Sequence, residues 1–301
     1  MNIVTRNYID ISDFKFVELK KILNYAKKIK RNPKKFSNIL KNKNLGLYFE
    51  QQSLRTRTSF EVGMKNLGGN VISIDKNEIG FGKRESEKDI INTLSQYIDC
   101  LVIRNHNHNK IKFYSELGLI PIINGLSNFS HPCQILSDIF TIEECLGTIK
   151  NKNICWIGNI NNVLISLLQS ASIFEFNLNI AVPRSILSKN KILVNKYQSK
   201  KINFYHDPSY SIQNSDCIMT DKWISMDQRK PINKKKLFKT FQVNDKLIKK
   251  AKKGAIFMHC LPSNRNEEVT DSVIDGKNSV IWQQVKNRMF VQQSLLIYCM
   301  K

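Results

Sequence analysis

Two arginines and several hydroxyl side chains are concentrated in one short stretch, Ser53–Phe60, which reads SLRTRTSF. Guanidinium groups donate paired hydrogen bonds to phosphate, and Ser and Thr hydroxyls add single ones. These residue types at this spacing indicate a phosphate-binding cradle. The alternative from the residues alone is that Arg55 and Arg57 cap their own helix or pair with surface acids. The P-loop pattern of glycines followed by lysine does not occur in the sequence.

A second candidate group follows in the sequence His131-Pro132-Cys133-Gln134. Proline favours the first turn of a helix, so an imidazole stands at a helix start with an amide one turn further on. Together they could hold the carbonyl and amide of a small planar group, although a capping histidine beside a core cysteine is the ordinary alternative. Arg104, just after an apolar run, is a third candidate donor, because ligands of open α/β sheets bind at the carboxyl ends of strands.

Three further candidates lie in the second half of the chain. A turn at 158–162 follows a predicted strand but holds one glycine, so a dinucleotide site is not indicated. Asp221 follows another predicted strand, and its carboxylate could bind the ammonium group of a substrate. The alternative is that Asp221 only caps a helix. Cys260 stands at the end of an apolar strand, next to His259, whose imidazole could lower the pKa of the thiol. The alternative interpretation is that Cys260 is a buried, inert cysteine.

Short β-branched runs alternate with helical patterns along the chain, which is typical of parallel sheets. Predicted strands are Leu45–Phe49, Val71–Ile74, Cys100–Ile103, Ile120–Ile123, Ile154–Ile157, Leu178–Val182, Ile202–Tyr205, Cys217–Met219 and Ala255–Met258. We therefore expect an α/β fold of two doubly wound parallel-sheet domains joined by a hinge. The predicted boundaries are 1–147 for the first domain, 148–281 for the second, and 282–301 for a C-terminal helix that packs back on the first. Ser53–Thr58 is predicted to lie in a strand-to-helix turn.

Composition limits the function classes. The 301 residues carry 47 Lys and Arg against 25 Asp and Glu, a net charge of +22, which raises nucleic-acid or anionic-membrane binding. The competing interpretation is a coding bias towards Lys, Asn and Ile that leaves a solvated basic surface. No apolar run approaches the roughly 20 residues of a membrane span, and no signal segment is apparent, so a cytoplasmic protein is expected. Seven cysteines without a C-x-x-C pair indicate neither a disulfide framework nor a zinc ribbon.

Taken in order, these motifs resemble the aspartate/ornithine carbamoyltransferase family, and within it the members that use ornithine. The match runs from about Leu45 to the C terminus. Its pieces are Phe49-Glu50 with Ser53–Phe60, Leu67-Gly68-Gly69, Val102-Ile103-Arg104, Ile123-Asn124-Gly125-Leu126, His131–Gln134, Gly158–Val163, Asp221–Met226, His259–Pro262, Glu267–Asp271 and Asn287-Arg288.

The resemblance implies that an amine of ornithine attacks the carbonyl carbon of carbamoyl phosphate, giving citrulline and phosphate. By resemblance, the catalytic residues are Cys260, Arg104 and His131. The residues implied to bind carbamoyl phosphate are Ser53, Leu54, Arg55, Thr56, Arg57, Glu78, Arg104, His131, Gln134, Cys260, Leu261 and Arg288. Those implied to bind ornithine are Asn162, Asp221, Ser225 and Met226. No metal or organic cofactor is expected, and the family implies a homotrimer or a multiple of trimers with no nucleic-acid or membrane partner.

Three positions depart from the family pattern. Leu54 replaces a common hydroxyl residue, so one phosphate contact must come from the backbone or be absent. Glu78 stands where the family has a glutamine that reaches a neighbouring subunit's phosphate, and Asp227 stands where it has a glycine. Carbamoyl transfer to another amine, such as acylated ornithine or putrescine, remains an alternative, and a basic nucleic-acid-binding protein is a remote one. Arginine biosynthesis is the expected role, and the sequence does not decide between that direction and the breakdown of citrulline by phosphate.

Overall fold

The protein is described by a computed structural model that covers residues 5–79, 85–224 and 234–301, with the backbone alone for residues 77, 78, 234 and 235. The chain divides into two compact units. Unit 1 consists of Met1–Phe140 together with Lys286–Lys301, and unit 2 of Thr141–Val285.

Each unit is built on one parallel sheet. In unit 1, β1 (Asn44–Phe49), β2 (Asn70–Ile74), β3 (Cys100–Arg104) and β4 (Ile122–Leu126) lie in the order β2-β1-β3-β4. In unit 2, the order is β7-β6-β5-β8-β9. The strands of unit 2 are β5 (Asn153–Ile157), β6 (Asn177–Ala181), β7 (Ile202–Tyr205), β8 (Cys217–Thr220) and β9 (Ile256–His259).

Helices connect the strands, as parallel neighbours require. Their bounds are α1 Phe16–Arg31, α2 Leu54–Asn66, α3 Lys76–Ile79, α4 Glu87–Ser95, α5 His108–Glu116, α6 Pro132–Leu146, α7 Asn162–Phe174, α8 Arg184–Lys189, α9 Lys191–Tyr197, α10 Pro208–Ser211, α11 Lys234–Phe238, α12 Asp245–Ile248, α13 Asp271–Ile274 and α14 Ile281–Met300. The two parallel α/β sheets confirm the predicted fold class.

The central strands are buried because each sheet is covered by apolar helix faces. All five residues of β3 are buried, and Phe60 and Met64 are buried residues of α2. The chain then turns at Gly68, whose φ of +84° is easily reached only by glycine, and a Cβ there would lie 2.5 Å from the carbonyl oxygen of Ser37. This turn returns the chain into β2.

In each sheet, the order in which successive strands are added changes direction once. The chain passes from β1 to β2 on one side and then to β3 on the other side of β1, and likewise from β5 outward to β7 before it returns to β8 beside β5. Ligands of open parallel sheets bind beyond the carboxyl ends of the strands at such reversals. The geometry therefore favours a site after β1 and β3 in unit 1, and one after β5 and β8 in unit 2.

All nine predicted strands are present, with one clear shift and one correction. β4 begins at Ile122, two residues later than expected, and Ser53–Thr58 is not a turn: only Ser53 precedes α2, and Leu54 already begins the helix. The seven cysteines all lie within the described residues, none of them forms a disulfide, and five of them are buried. Among the described residues, no helix is long and apolar enough to cross a membrane.

Candidate active site

The phosphate-cradle residues form the first turn of α2, directly after β1. Ser53 is the residue that precedes the helix, yet its side chain makes no capping hydrogen bond. Arg55, Thr56 and Arg57 follow, so their backbone lies at the helix end that favours anions. Leu54 is 75% exposed, and its side chain adds no polar contact to the cradle.

One face of this turn opens onto a cleft. Ser53, Leu54 and Arg57 line a cavity of about 690 Å³ together with residues of β1 and β2. Arg57 is exposed, whereas Arg55 is half-buried. The two arginines of the cradle therefore have different surroundings, and Arg57 is the one on the open side.

His131, just before α6, is the point where the other arginines converge. Its side chain is buried, and its pKa lies well below the ordinary value of 6.5, first because of burial and then because of the positive charges of Arg288, Arg104 and Arg55. A neutral imidazole beside three guanidinium groups can donate or accept a hydrogen bond without adding charge.

Those three arginines come from distant parts of the chain. Arg104 ends β3, Arg55 lies in α2, and Arg288 lies in α14. Arg288 is buried and donates a hydrogen bond from Nη2 to the Thr56 hydroxyl at 2.7 Å. Three guanidinium groups around one neutral imidazole make the local potential positive, which favours an anionic ligand.

Gln134 lies on the first turn of α6 and is fully buried. Its Nε2 donates a hydrogen bond to Oδ1 of Asp138 at 2.7 Å. The structure thus brings Gln134 onto the helix that begins beside His131, as the sequence predicts.

In unit 2, Asp221 is held through both carboxylate oxygens. Oδ1 accepts a hydrogen bond from the Cys260 thiol at 3.2 Å, and Oδ2 accepts one from Nδ2 of Asn161 at 2.7 Å. Asn161 also caps α7 by accepting the backbone N–H of Leu164. Asn162, the residue that the family resemblance implies for ornithine, begins α7, and the contact of Asn161 with Asp221 is not predicted by the sequence.

His259, which the sequence places beside the Cys260 thiol, hydrogen-bonds through its ring nitrogens to Leu261 and Glu268. Nδ1 of His259 accepts the backbone N–H of Leu261 at 2.9 Å, so the proton sits on Nε2, which lies 3.3 Å from Oε1 of the fully buried Glu268. That same Glu268 oxygen accepts the N–H of Asn264 at 2.6 Å. This network holds Leu261 at a φ of 56°, a left-handed conformation that costs energy for a non-glycine residue. His259 and Glu268 therefore shape the loop that carries Cys260.

Asp221, His259 and Cys260 offer one ligand atom each within 4.8 Å of one another, and these are donor types that zinc uses. Both ring nitrogens of His259 already have hydrogen-bond partners, so metal binding would require the imidazole to release Leu261 or Glu268. The donor set as arranged fits an organic cation on Asp221 better than a metal.

Three predicted positions lie outside what the structure describes: Ser225, Met226 and the side chain of Glu78. The departure at Asp227 lies outside it as well.

Two family models match the chain in succession. The model for "Aspartate/ornithine carbamoyltransferase, carbamoyl-P binding domain" matches residues 6–144, and the one for the "Asp/Orn binding domain" matches residues 150–299. The chain belongs to the aspartate/ornithine carbamoyltransferase family. The resemblance predicted from the sequence motifs is thereby confirmed.

Curated members of this carbamoyltransferase family are similar over nearly the whole chain. An ornithine carbamoyltransferase of Rhodopseudomonas palustris is 40% identical over 304 residues, which cover 99% of this chain and 98% of that protein. One of Mesorhizobium japonicum is 39% identical and 98% of each chain is covered. Among solved structures, the ornithine carbamoyltransferase of Pyrococcus furiosus aligns with a TM-score of 0.93 at 35% identity, covering 100% of this chain and 98% of that one.

Proposed function

We propose that this carbamoyltransferase moves the carbamoyl group of carbamoyl phosphate to the side-chain amine of L-ornithine, releasing citrulline and phosphate. The observation that carries the proposal is the neutral His131 beside Arg55, Arg104 and Arg288 in unit 1. Such a set suits a ligand with a dianionic phosphate next to a carbonyl. The relatives named ornithine carbamoyltransferase support the same substrate pair.

On this proposal, unit 1 binds carbamoyl phosphate. Ser53, Thr56, Arg55 and Arg57 donate hydrogen bonds to the phosphate at the start of α2, where the helix dipole adds to the attraction. Arg104 and His131 donate to the carbonyl oxygen, which gains negative charge as the amine attacks. Because His131 is neutral, it donates a hydrogen bond without transferring a proton.

The remaining residues proposed to bind carbamoyl phosphate are Arg288, Gln134, Leu261 and Leu54. Arg288, already oriented by Thr56, adds positive charge. Gln134 and the backbone carbonyl of Leu261 accept hydrogen bonds from the carbamoyl nitrogen. Leu54 offers no side-chain donor, so the phosphate contact at that position comes from the backbone N–H.

Unit 2 binds ornithine in this proposal. Asp221, anchored by Asn161, accepts the side-chain ammonium, and Cys260 lies beside it. The ammonium must lose one proton so that its lone pair can attack the carbonyl carbon. The bond to phosphate then breaks, and phosphate leaves with the bonding pair and takes up the second proton that the attacking nitrogen releases. Asp221 and Cys260 are the groups of the described residues placed to accept or pass on that proton. Asn162, Ser225 and Met226 contact the amino-acid end.

The same proposal includes a cytoplasmic homotrimer, or multiple of trimers, that acts in arginine biosynthesis without a cofactor and without a nucleic-acid or membrane partner. Family resemblance supports these points. Analytical ultracentrifugation of the purified protein tests the trimer.

A substrate panel tests the activity. The purified protein is assayed for phosphate release and carbamoylated product with carbamoyl phosphate plus L-ornithine, N-acetyl-L-ornithine, putrescine or L-aspartate, and for the reverse reaction with citrulline and phosphate. Citrulline formed from ornithine at the highest kcat/KM supports the proposal. Preference for another amine, or no carbamoyl transfer at all, contradicts it.

A further inference from the structure

Gln134 and Asp138 are four residues apart on one face of α6, and His131, three residues before Gln134, immediately precedes the helix. Gln134 is fully buried and Asp138 is 1% exposed. A buried carboxylate on the face that carries Gln134, a proposed substrate contact, has no role in the mechanism described so far.

The hydrogen bond between the two side chains determines how the Gln134 amide is turned. An amide oxygen and nitrogen are exchangeable by a half-turn, and hydrogen-bond partners decide between the two orientations. An ionised carboxylate only accepts, so the nitrogen of Gln134 must face Asp138, as the 2.7 Å contact from Nε2 to Oδ1 shows.

The consequence is an unsatisfied acceptor. Oε1 of Gln134 is buried and has no hydrogen-bond partner among the described residues. Buried polar atoms in native proteins are nearly always paired, so an orphan oxygen beside an anion-binding cluster calls for a ligand that donates.

We propose that Asp138 is a positioning residue that holds the amide of Gln134 with its oxygen towards the substrate, and that this orientation selects a carbamoyl over an acetyl group. The inference rests on the proposed function, since it concerns the same ligand. The carbamoyl NH2 donates to Oε1, whereas the methyl group of acetyl phosphate would leave Oε1 buried and unpaired. Sites built to pair with a polar group reject analogues that lack it.

Two stable probes isolate this contact. Phosphonoacetamide carries the carbamoyl NH2, acetonylphosphonate has a methyl group in its place, and both share the phosphonate and the carbonyl. Their affinities, with inorganic phosphate as a third ligand, are measured by calorimetry for the wild type, D138N, D138A, Q134A and the Q134A/D138N double variant. S137A is the matched control, because Ser137 is equally buried on α6 but donates to the carbonyl of Cys133.

We expect Q134A and D138A each to lower the preference for phosphonoacetamide by about tenfold, the size of one lost hydrogen bond. D138N should lower it less, because the Asn Oδ1 can still accept from Nε2 of Gln134. Affinity for inorganic phosphate and the preference of S137A should stay at the wild-type level. The double variant should have the preference of Q134A alone, since Asp138 acts through Gln134.

Three outcomes would overturn the inference: equal weakening of all three ligands, additive losses in the double variant, or an unchanged preference in D138A. If D138A does not fold, D138L decides, because leucine keeps a similar side-chain size and has no acceptor. A wild type that binds both phosphonates with this preference but forms no citrulline contradicts the proposed function and leaves the role of Asp138 standing.

Discussion

Arg288 and Thr56 are 232 residues apart in the sequence, yet the guanidinium of one donates to the hydroxyl of the other at 2.7 Å. Both side chains are 3% exposed. A buried arginine with a fixed partner presents its remaining donors in a defined direction. The hydrogen bond thus ties the C-terminal helix to the first turn of α2, where the phosphate is proposed to bind.

Replacing Thr56 by valine keeps the side-chain shape and removes only the hydroxyl. We expect T56V to bind phosphonoacetamide about threefold to tenfold more weakly, because Arg288 loses its orienting partner and the phosphate loses a donor. Calorimetry measures the change. T58V is the control, since Thr58 is exposed on the same helix. Equal loss in both variants would contradict a specific role of Thr56.

The R57A variant should lose most of its affinity for carbamoyl phosphate while its thermal unfolding stays unchanged. Arg57 lines the cleft and is exposed, so the fold does not depend on it. A charge-assisted hydrogen bond is worth about 1.5–3 kcal/mol, which corresponds to roughly 10-fold to 150-fold weaker binding. K65A, an exposed change at the other end of α2, serves as the control. Unchanged binding in R57A would refute the cradle.

The buried neutral His131 makes stability depend on pH. Its pKa is lowered on folding from 6.5, so above pH 6.5 neither the folded nor the unfolded chain carries this proton. Below pH 6.5 the unfolded chain binds it and the folded chain does not, and the free energy of unfolding falls by up to about 1.4 kcal/mol per pH unit.

Urea unfolding of the wild type and H131N on both sides of pH 6.5 tests this linkage. H131N lacks the titrating group, and we expect its stability to fall less steeply in acid than that of the wild type. Parallel curves for the two proteins would mean that His131 is protonated in the folded state.

Cys260 and Asp221 should act together on ornithine. C260S keeps an O–H donor for Asp221, so we expect a moderate rise in KM for ornithine; C260A removes the donor and should raise KM further, by about tenfold in total. Steady-state kinetics across a pH series measure both. C145A is the control, because Cys145 is also partly exposed in unit 2. Identical kinetics across pH in C260S and the wild type would remove the assigned role.

Local sequence patterns predict the strands well, because burial in a parallel sheet demands continuous apolar runs such as Cys100–Ile103. They fail where a pairing depends on the fold. Asn161 binds Asp221 across 60 residues, and nothing in the local spacing distinguishes it from Asn162. The Glu268 carboxylate reaches His259 only because the loop between them folds back. The apolar stripe that starts at Phe60 predicts a turn over Ser53–Thr58, yet α2 already begins at Leu54.

Unit 1 is discontinuous, since Lys286–Lys301 rejoins Met1–Phe140. A ribosome that adds roughly 5–20 residues per second makes Arg288 roughly 7–30 s after Phe140. During that interval the nascent chain holds Thr56, Arg55 and His131 without the guanidinium that completes their cluster. On the proposed function, a chain whose synthesis stops before α14 lacks one of the guanidinium groups that bind carbamoyl phosphate, so the substrate stabilises such a chain less than one that includes Arg288.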